Sequence, residues 1–300
     1  MIAPSCRPCL QERAKRTKEG RSDMSQNHGQ ERAQGCGGTP REPGEGLPKE
    51  ALHPESSVKT VIGVISGKGG VGKSFVTALL ATSLQRKGYR TAILDADITG
   101  PSIPRAFGLE GLMEADREGK LYPRKTKTGI QVVSMNLLLK ETSDPVIWRG
   151  PLIGNMVKQF WSEVIWQDVD VMLVDMPPGT GDVALTVLGN LPLDGIVVVT
   201  SPQELVSMIV EKAVRMARDM DVPVLGLVEN MSYFQCPGCE TRHAVLGESK
   251  VEGTAARFGI PHWIRMPLDP RVAAASDAGT IETIQEDWLD PVIAGFPLAK

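Results

Sequence analysis

Long apolar runs, a dominant charge, a dense cysteine framework and an apolar leader are all missing from this 300-residue chain. No stretch approaches the roughly 20 apolar residues that a membrane-crossing helix needs, and runs such as "GIVVVTS" have the length of buried strands. Membrane insertion is therefore not expected. With 33 basic against 36 acidic residues the net charge is −3, which leaves no basic footprint for nucleic acid or for an anionic membrane surface. The five cysteines are odd in number and too sparse for a disulfide scaffold, and the opening residues hold no segment of secretory-signal type. These absences point to the reducing cytoplasm. A hydrophobic share of 41% is enough for one large domain with a proper core.

Aromatic residues are also absent from positions 1–57, which are crowded with Gly, Pro, Gln and charged side chains. Such a segment cannot bury enough apolar surface to offset its chain entropy. Residues 1–57 are expected to form a disordered tail and residues 58–300 a single folded domain. Met24 opens a second plausible start, "MSQNHGQERAQ", so the sequence leaves open whether residues 1–23 belong to the protein.

After Lys59 the texture changes to short β-branched runs separated by amphipathic stretches. Strands are expected at 59–66, 90–97, 129–136, 170–177, 195–202, 223–230 and 261–267, most of them apolar throughout, as strands covered on both faces are. Helices are expected at 73–87, 152–166, 203–219 and 253–258, with more after Pro270 and Thr280. The alternation implies right-handed crossovers and an α/β fold, a doubly wound and mostly parallel sheet with helices on both faces. Ligands of such a sheet gather at the carboxyl ends of its strands. No repeat at a solenoid period is present.

Directly after the first strand comes "SGKGGVGKSF", which matches G-x-x-x-x-G-K-[ST] from Gly67 to Ser74, with a strand before it and a helix behind it. Glycines allow positive φ and turn consecutive N–H groups inward, so the backbone from Gly67 through Gly69, Gly70, Val71 and Gly72 to Phe75 should cradle phosphate at a helix N-terminus. Lys73 is expected to reach the β- and γ-phosphates of ATP, and Ser74 to ligate Mg²⁺. The second lysine of the loop, Lys68, gives K-G-G-x-G-K-S. This resembles the deviant phosphate loop of the ATPases that include MinD, ParA and the nitrogenase iron protein. The resemblance implies that Lys68 contacts phosphate across a nucleotide-sandwich homodimer.

"LDADITGPS" ends the second strand, where alternation places Asp95 and Asp97 on one face with Asp97 nearer the edge. By the same resemblance Asp97 matches the carboxylate that orients the attacking water, with Asp95 beside it on the Mg²⁺ side. Lys68, Lys73 and Asp97 would then carry the catalysis. In "VDMPPGTGD", Asp175 matches the acid that holds Mg²⁺ through water, and Gly179 the N–H that meets the γ-phosphate. Asn230 matches the asparagine that reads the adenine edge, and Pro267 the residue that packs near the base.

Cys236 and Cys239 follow in "FQCPGCETRH", a few residues beyond Asn230. Taken alone, C-x-x-C serves thiol exchange, zinc and iron–sulfur clusters alike. One chain offers zinc these two thiols and at best His243, one ligand short of four, whereas a two-fold dimer brings four thiolates together. Here the resemblance narrows. "GKGGVGKS", "LDADITGPS", "VDMPPGTGD" and "ENMSYFQCPGC" together are similar to the Mrp-type (ApbC-like) iron–sulfur cluster carriers. That likeness implies a homodimer that binds and hydrolyses ATP with Mg²⁺, holds a [4Fe–4S] cluster on Cys236 and Cys239, and delivers it to apo iron–sulfur proteins. Cys6, Cys9 and Cys36 are one short of a second cluster set, so they are expected to be unligated. The competing reading is a MinD/ParA-like positioning ATPase with structural zinc or no metal, although the C-terminal "WLDPVIAGFPLAK" has a single basic residue to offer a surface.

Overall fold

The computed structural model describes residues 49–97, 100, 102–138, 150–179, 181–202 and 206–298. The expected tail up to residue 48, with Cys6, Cys9 and Cys36, lies outside the described residues. In chain order the elements are β1 (Val58–Ser66), α1 (Lys73–Arg86), β2 (Thr91–Asp95), α2 (Ile103–Ala106), β3 (Glu114–Ala115), β4 (Leu121–Tyr122), β5 (Arg124–Lys125) and β6 (Gln131–Val133). They continue with α3 (Gly150–Ser162), β7 (Val169–Asp175), α4 (Asp182–Asn190), β8 (Gly195–Thr200), α5 (Val206–Asp219) and β9 (Val224–Gln235). β10 (Arg242–His243), α6 (Val251–Phe258), β11 (Trp263–Pro267), α7 (Pro270–Asp277) and α8 (Asp290–Ile293) complete the chain.

The main sheet runs β10-β9-β8-β1-β7-β2-β6-β5, with β11 also paired to β9. All pairs are parallel except the two outer ones, β10 with β9 and β5 with β6. The reason lies in the side chains. Val61 to Ser66 of β1 are buried without a break, and since successive strand residues point to opposite faces, both faces must be covered. α1 packs over β1, β2 and β7, and α5 over β1 and β8. The seven strands expected from β-branched runs are all present, as is the doubly wound topology. Among the described residues no helix is long and apolar enough to cross a membrane.

Three local departures have physical causes. Residues 49–57 pack on the domain instead of belonging to a tail: the Glu50 N–H donates to Asn190 O at 2.8 Å, Trp161 Nε1 to Glu50 O at 3.0 Å, and the Ser57 N–H to Trp166 O at 2.9 Å. Backbone hydrogen bonds hold this segment, which composition cannot report. α4 was not expected, because "DVALTVLGN" carries too few polar residues to show a helical period. β9 runs five residues past Asn230 and turns back through β10, so an extended hairpin stands where a strand end was expected.

A close approach ties α2 to α7. Gly108 follows α2 with φ 62°, Gly279 follows α7 with φ 67°, and a Cβ on Gly279 would lie 2.6 Å from Gly108 Cα, a contact with backbone that cannot step aside. Gly88 has φ 89° but open space around it. Ala at either glycine carries left-handed strain of about 1–2 kcal/mol. Gly279→Ala should therefore lose clearly more stability than Gly88→Ala in equilibrium denaturant unfolding. Equal losses would show that the α2–α7 contact yields freely.

Candidate functional site

β1 ends at Ser66 and the chain turns through the glycine loop into α1. Gly70 (φ 82°) and Gly72 (φ 79°) sit in left-handed backbone, and at Gly72 any side chain would also run into the Asn230 amide. Among the described residues no backbone carbonyl accepts from the N–H groups of Gly69, Gly70, Val71 or Gly72. Together with the first N–H groups of α1 they form a concave donor array of the kind that holds phosphate.

Parallel register then stacks carboxylates behind the loop. Asp175, the last residue of β7, pairs with Val64 on β1 and with Asp95 on β2. Its side chain is fully buried and takes three donors: Lys73 Nζ at 2.8 Å, Ser74 Oγ at 2.6 Å and Thr77 Oγ1 at 2.7 Å. Asp97 Oδ2 lies 3.8 Å from Lys73 Nζ. Two carboxylates thus share one largely buried ammonium, so removing Lys73 would leave both uncompensated.

Asp95 stands apart from Asp97. It is fully buried, accepts from Ser134 Oγ at 3.0 Å and from the Asp97 N–H at 3.2 Å, and does not line the cavity. Alternation placed the two side by side, but β2 ends at Asp95, and the chain beyond it no longer follows the pleat. Burial, then the charge of Asp175 and, more weakly, that of Asp97, push the Asp95 carboxyl up to about 8, against the pull of Lys73 and Ser134.

In front of this cluster opens a cavity of about 420 Å³, within the range of small-molecule sites. Lys68, Gly69, Gly70, Gly72, Lys73, Ser74, Phe75, Asp97, Asn230 and Pro267, all singled out from sequence, line it. Gly67 sits behind the wall against Ile209. The Val71 carbonyl accepts from Asn230 Nδ2 at 3.0 Å. The Gly179 N–H, matched to a phosphate donor, here donates to Ser66 O at 2.8 Å and must release it to serve a phosphate. Sequence reasoning missed the apolar end, formed by Leu79, Met231, Met266, Leu268 and Val272. Leu79 was accessible as the i+4 neighbour of Phe75 on α1. The others come from three separate places in the chain, Met231 on β9, Met266 with Leu268 at the end of β11, and Val272 on α7, which only the fold brings together.

The thiols lie at the tip of the β9–β10 hairpin. The Cys236 N–H donates to Thr241 O at 3.0 Å and the Glu240 N–H to Cys236 O at 2.8 Å, closing a turn that leaves Cys239 exposed and Cys236 half-buried. The Cys239 thiol lies 3.3 Å from the Thr241 hydroxyl. Hydrogen bonding to the Thr241 side chain, then to its backbone and to Cys236, holds this thiol below its ordinary range, toward the thiolate that binds metals. No group of three or more His, Cys, Asp or Glu able to hold a metal occurs among the described residues, so His243 does not join the pair. At the hairpin's base Arg242 stacks 4.4 Å over the Tyr233 ring, and the Leu268 N–H donates to Tyr233 O at 2.7 Å.

Comparison with known proteins agrees with this geometry. Residues 57–291 match the family model described as NUBPL iron-transfer P-loop NTPase (ParA). The chain is 46% identical over 233 residues to the iron-sulfur cluster carrier protein of Clostridium perfringens, covering 75% of this chain and 82% of that protein. It is 42% identical over 225 residues to the protein of the same name from Saccharolobus solfataricus, covering 74% and 76%. A nucleotide-binding protein of Archaeoglobus fulgidus, solved in complex with ADP, superposes with a TM-score of 0.71 at 42% identity over 78% of this chain and 91% of that one. The cell division ATPase MinD of Pyrococcus furiosus shares the fold, with a TM-score of 0.52 at 18% identity over 79% and 94%.

The Asp95 carboxyl generates a pH test. Its folded value lies above the ordinary 3.8, at about 8, so over that window the folded chain keeps a proton that the unfolded chain gives up. Its stabilising contribution is full below about pH 4 and is lost as pH rises toward 8. Unfolding of the wild type by denaturant, without nucleotide, should show stability falling between about pH 5 and 8. Asp95→Asn should flatten that fall. An unchanged slope in the variant would exclude Asp95 as its source.

Proposed function

The chain belongs to the NUBPL iron-transfer P-loop NTPase (ParA) family, and from that membership we propose that it hydrolyses ATP and carries an iron–sulfur cluster, which it delivers to apo-proteins. The observation that carries this reading is the exposed Cys236–Cys239 turn, borne on the same strand whose Asn230 grips the phosphate loop. One chain supplies two thiols, and a cubane cluster takes four. A second copy related by a two-fold axis completes the set. The cargo is therefore a [4Fe–4S] cluster between two subunits, on a thiol pair, half-buried Cys236 and exposed Cys239, that suits the reducing cytoplasm. Apo iron–sulfur proteins are the recipients, with no role for nucleic acid or membrane.

The nucleotide half follows from charge. Phosphoryl transfer to water needs positioning and neutralisation more than covalent chemistry. The donor array of the loop and Lys73 meet the phosphates, and Lys68 serves a phosphate bound by the second copy, a role supported by its half-buried position at the cavity wall with no ion pair among the described residues. Hard oxygen donors, the Ser74 hydroxyl and the buried Asp175 carboxylate, fit Mg²⁺, which supplies charge stabilisation between the phosphates when bound. Asp97 orients the attacking water, while Phe75, Pro267 and the apolar end take the base.

β9 links the two halves. Cys236 lies six residues beyond Asn230, at most about 20 Å along extended chain, and Tyr233 between them is tied to Leu268 at the cavity wall. A shift of the loop around the γ-phosphate is thereby felt at the thiols, so nucleotide state sets how firmly the cluster is held.

Anaerobic reconstitution with iron and sulfide tests the reading. A brown dimer with about four iron and four sulfide per dimer is expected, and Cys236→Ala with Cys239→Ala should abolish the colour while sparing ATP binding. A double variant that keeps a full cluster overturns the assignment. A colourless wild type holding zinc would favour a zinc-stabilised ATPase without cargo.

A further inference from the structure

Three donors converge on Asp175, and they are not equivalent. Lys73 and Ser74 both line the cavity, and the loop chemistry requires each to turn to the ligand, Lys73 to phosphate and Ser74 to the metal. Thr77 does not line the cavity. It is fully buried on α1, one turn past Lys73, and reaches Asp175 Oδ1 from behind at 2.7 Å. Its hydroxyl also lies 3.1 Å from Lys73 O, but its single proton favours the shorter bond to the charged carboxylate.

We propose that Thr77 is the positioning residue of the magnesium site. It retains its hydrogen bond to one Asp175 oxygen when Lys73 and Ser74 leave for the nucleotide, and so aims the other oxygen at the metal. Without that bond, a fully buried carboxylate that has just lost two donors is free to turn about its side-chain torsion. An unpaired buried acceptor is costly, so the carboxylate would settle in orientations that no longer present that oxygen to the metal. Hydrogen bonds that orient a metal-binding carboxylate are commonly worth about 10–100-fold in metal affinity. The inference rests on the nucleotide-and-magnesium reading above.

Equilibrium binding of a fluorescent ADP analogue, titrated with Mg²⁺, tests it without relying on turnover. In the wild type Mg²⁺ should tighten binding. Thr77→Val, which keeps the shape and loses the hydroxyl, should raise the Mg²⁺ concentration at half-effect by about tenfold or more, with metal-free affinity changed less than about twofold. Thr77→Ser should restore the wild-type midpoint. Should the valine variant fold poorly, Thr77→Ala against Thr77→Ser makes the same comparison, with thermal unfolding run on each. A wild-type Mg²⁺ midpoint in the valine or alanine variant overturns the role of Thr77, as does an equal loss of metal-free affinity. A wild type indifferent to Mg²⁺ overturns the magnesium reading itself.

Discussion

Parallel pairing of β1 with β7 and β8 fixes where every charged group of the site ends up. Because the strands run one way, the phosphate loop after β1, Asp95 and Asp97 at the end of β2, Asp175 at the end of β7 and Asn230 on β9 all arrive at the same edge. The register is strict, with Val64, Asp175 and Asp95 falling level across three strands. A slip of one residue would turn Asp175 into the apolar layer on the sheet's other side. The long apolar runs, which look like mere core, are what makes that register hold.

The edge gathers more negative charge than it can solvate. Asp95 and Asp175 are both fully buried, Asp97 nearly so, and one buried ammonium, Lys73, faces the last two. The arrangement is tolerable because Asp95 keeps a proton and because hydroxyls from Ser74, Thr77 and Ser134 supply hydrogen bonds. It also explains how the site answers to a ligand. Phosphate and a divalent cation bring both signs of charge, and each resident group can exchange its present partner for a ligand group.

Much of this was legible in the sequence, for identifiable reasons. The phosphate loop, Asp97, Asp175 and the seven principal strands announce themselves because they depend on local pattern: glycine spacing, strand-end aspartates and unbroken apolar runs. What stayed hidden depends on partners distant in sequence. Thr77 was not singled out and gains meaning only from a carboxylate 98 positions away; Asn230 and Gly179 were singled out, but not their bonds to a carbonyl 159 positions back and to the carbonyl of Ser66. Residues 49–57 belong to the domain through backbone bonds to α3 and the ends of its neighbours, which no composition measure registers. β9 continues past Asn230 through Tyr233, whose ring lies under the guanidiniums of Arg242 and Arg265, partners that local pattern does not reveal.

That extension gives the molecule its two-ended character. Asn230 reaches the phosphate loop, and the strand that bears it ends in the thiol turn. Between them Met231 adopts φ 56°, a break in the pleat where the strand can bend. The Glu229, Ser232 and Arg265 side chains brace the bend, with Ser232 Oγ donating to Glu229 at 2.6 Å and Arg265 Nε to Ser232 at 3.0 Å. The proposed coupling of nucleotide state to cluster retention runs through this short stretch. It is tested most directly by the rate at which the reconstituted cluster is lost to an iron chelator, followed by its visible absorbance with saturating ATP, with ADP and with no nucleotide. The account predicts rates that differ severalfold between the ATP-bound and ADP-bound protein. Three identical rates would contradict it.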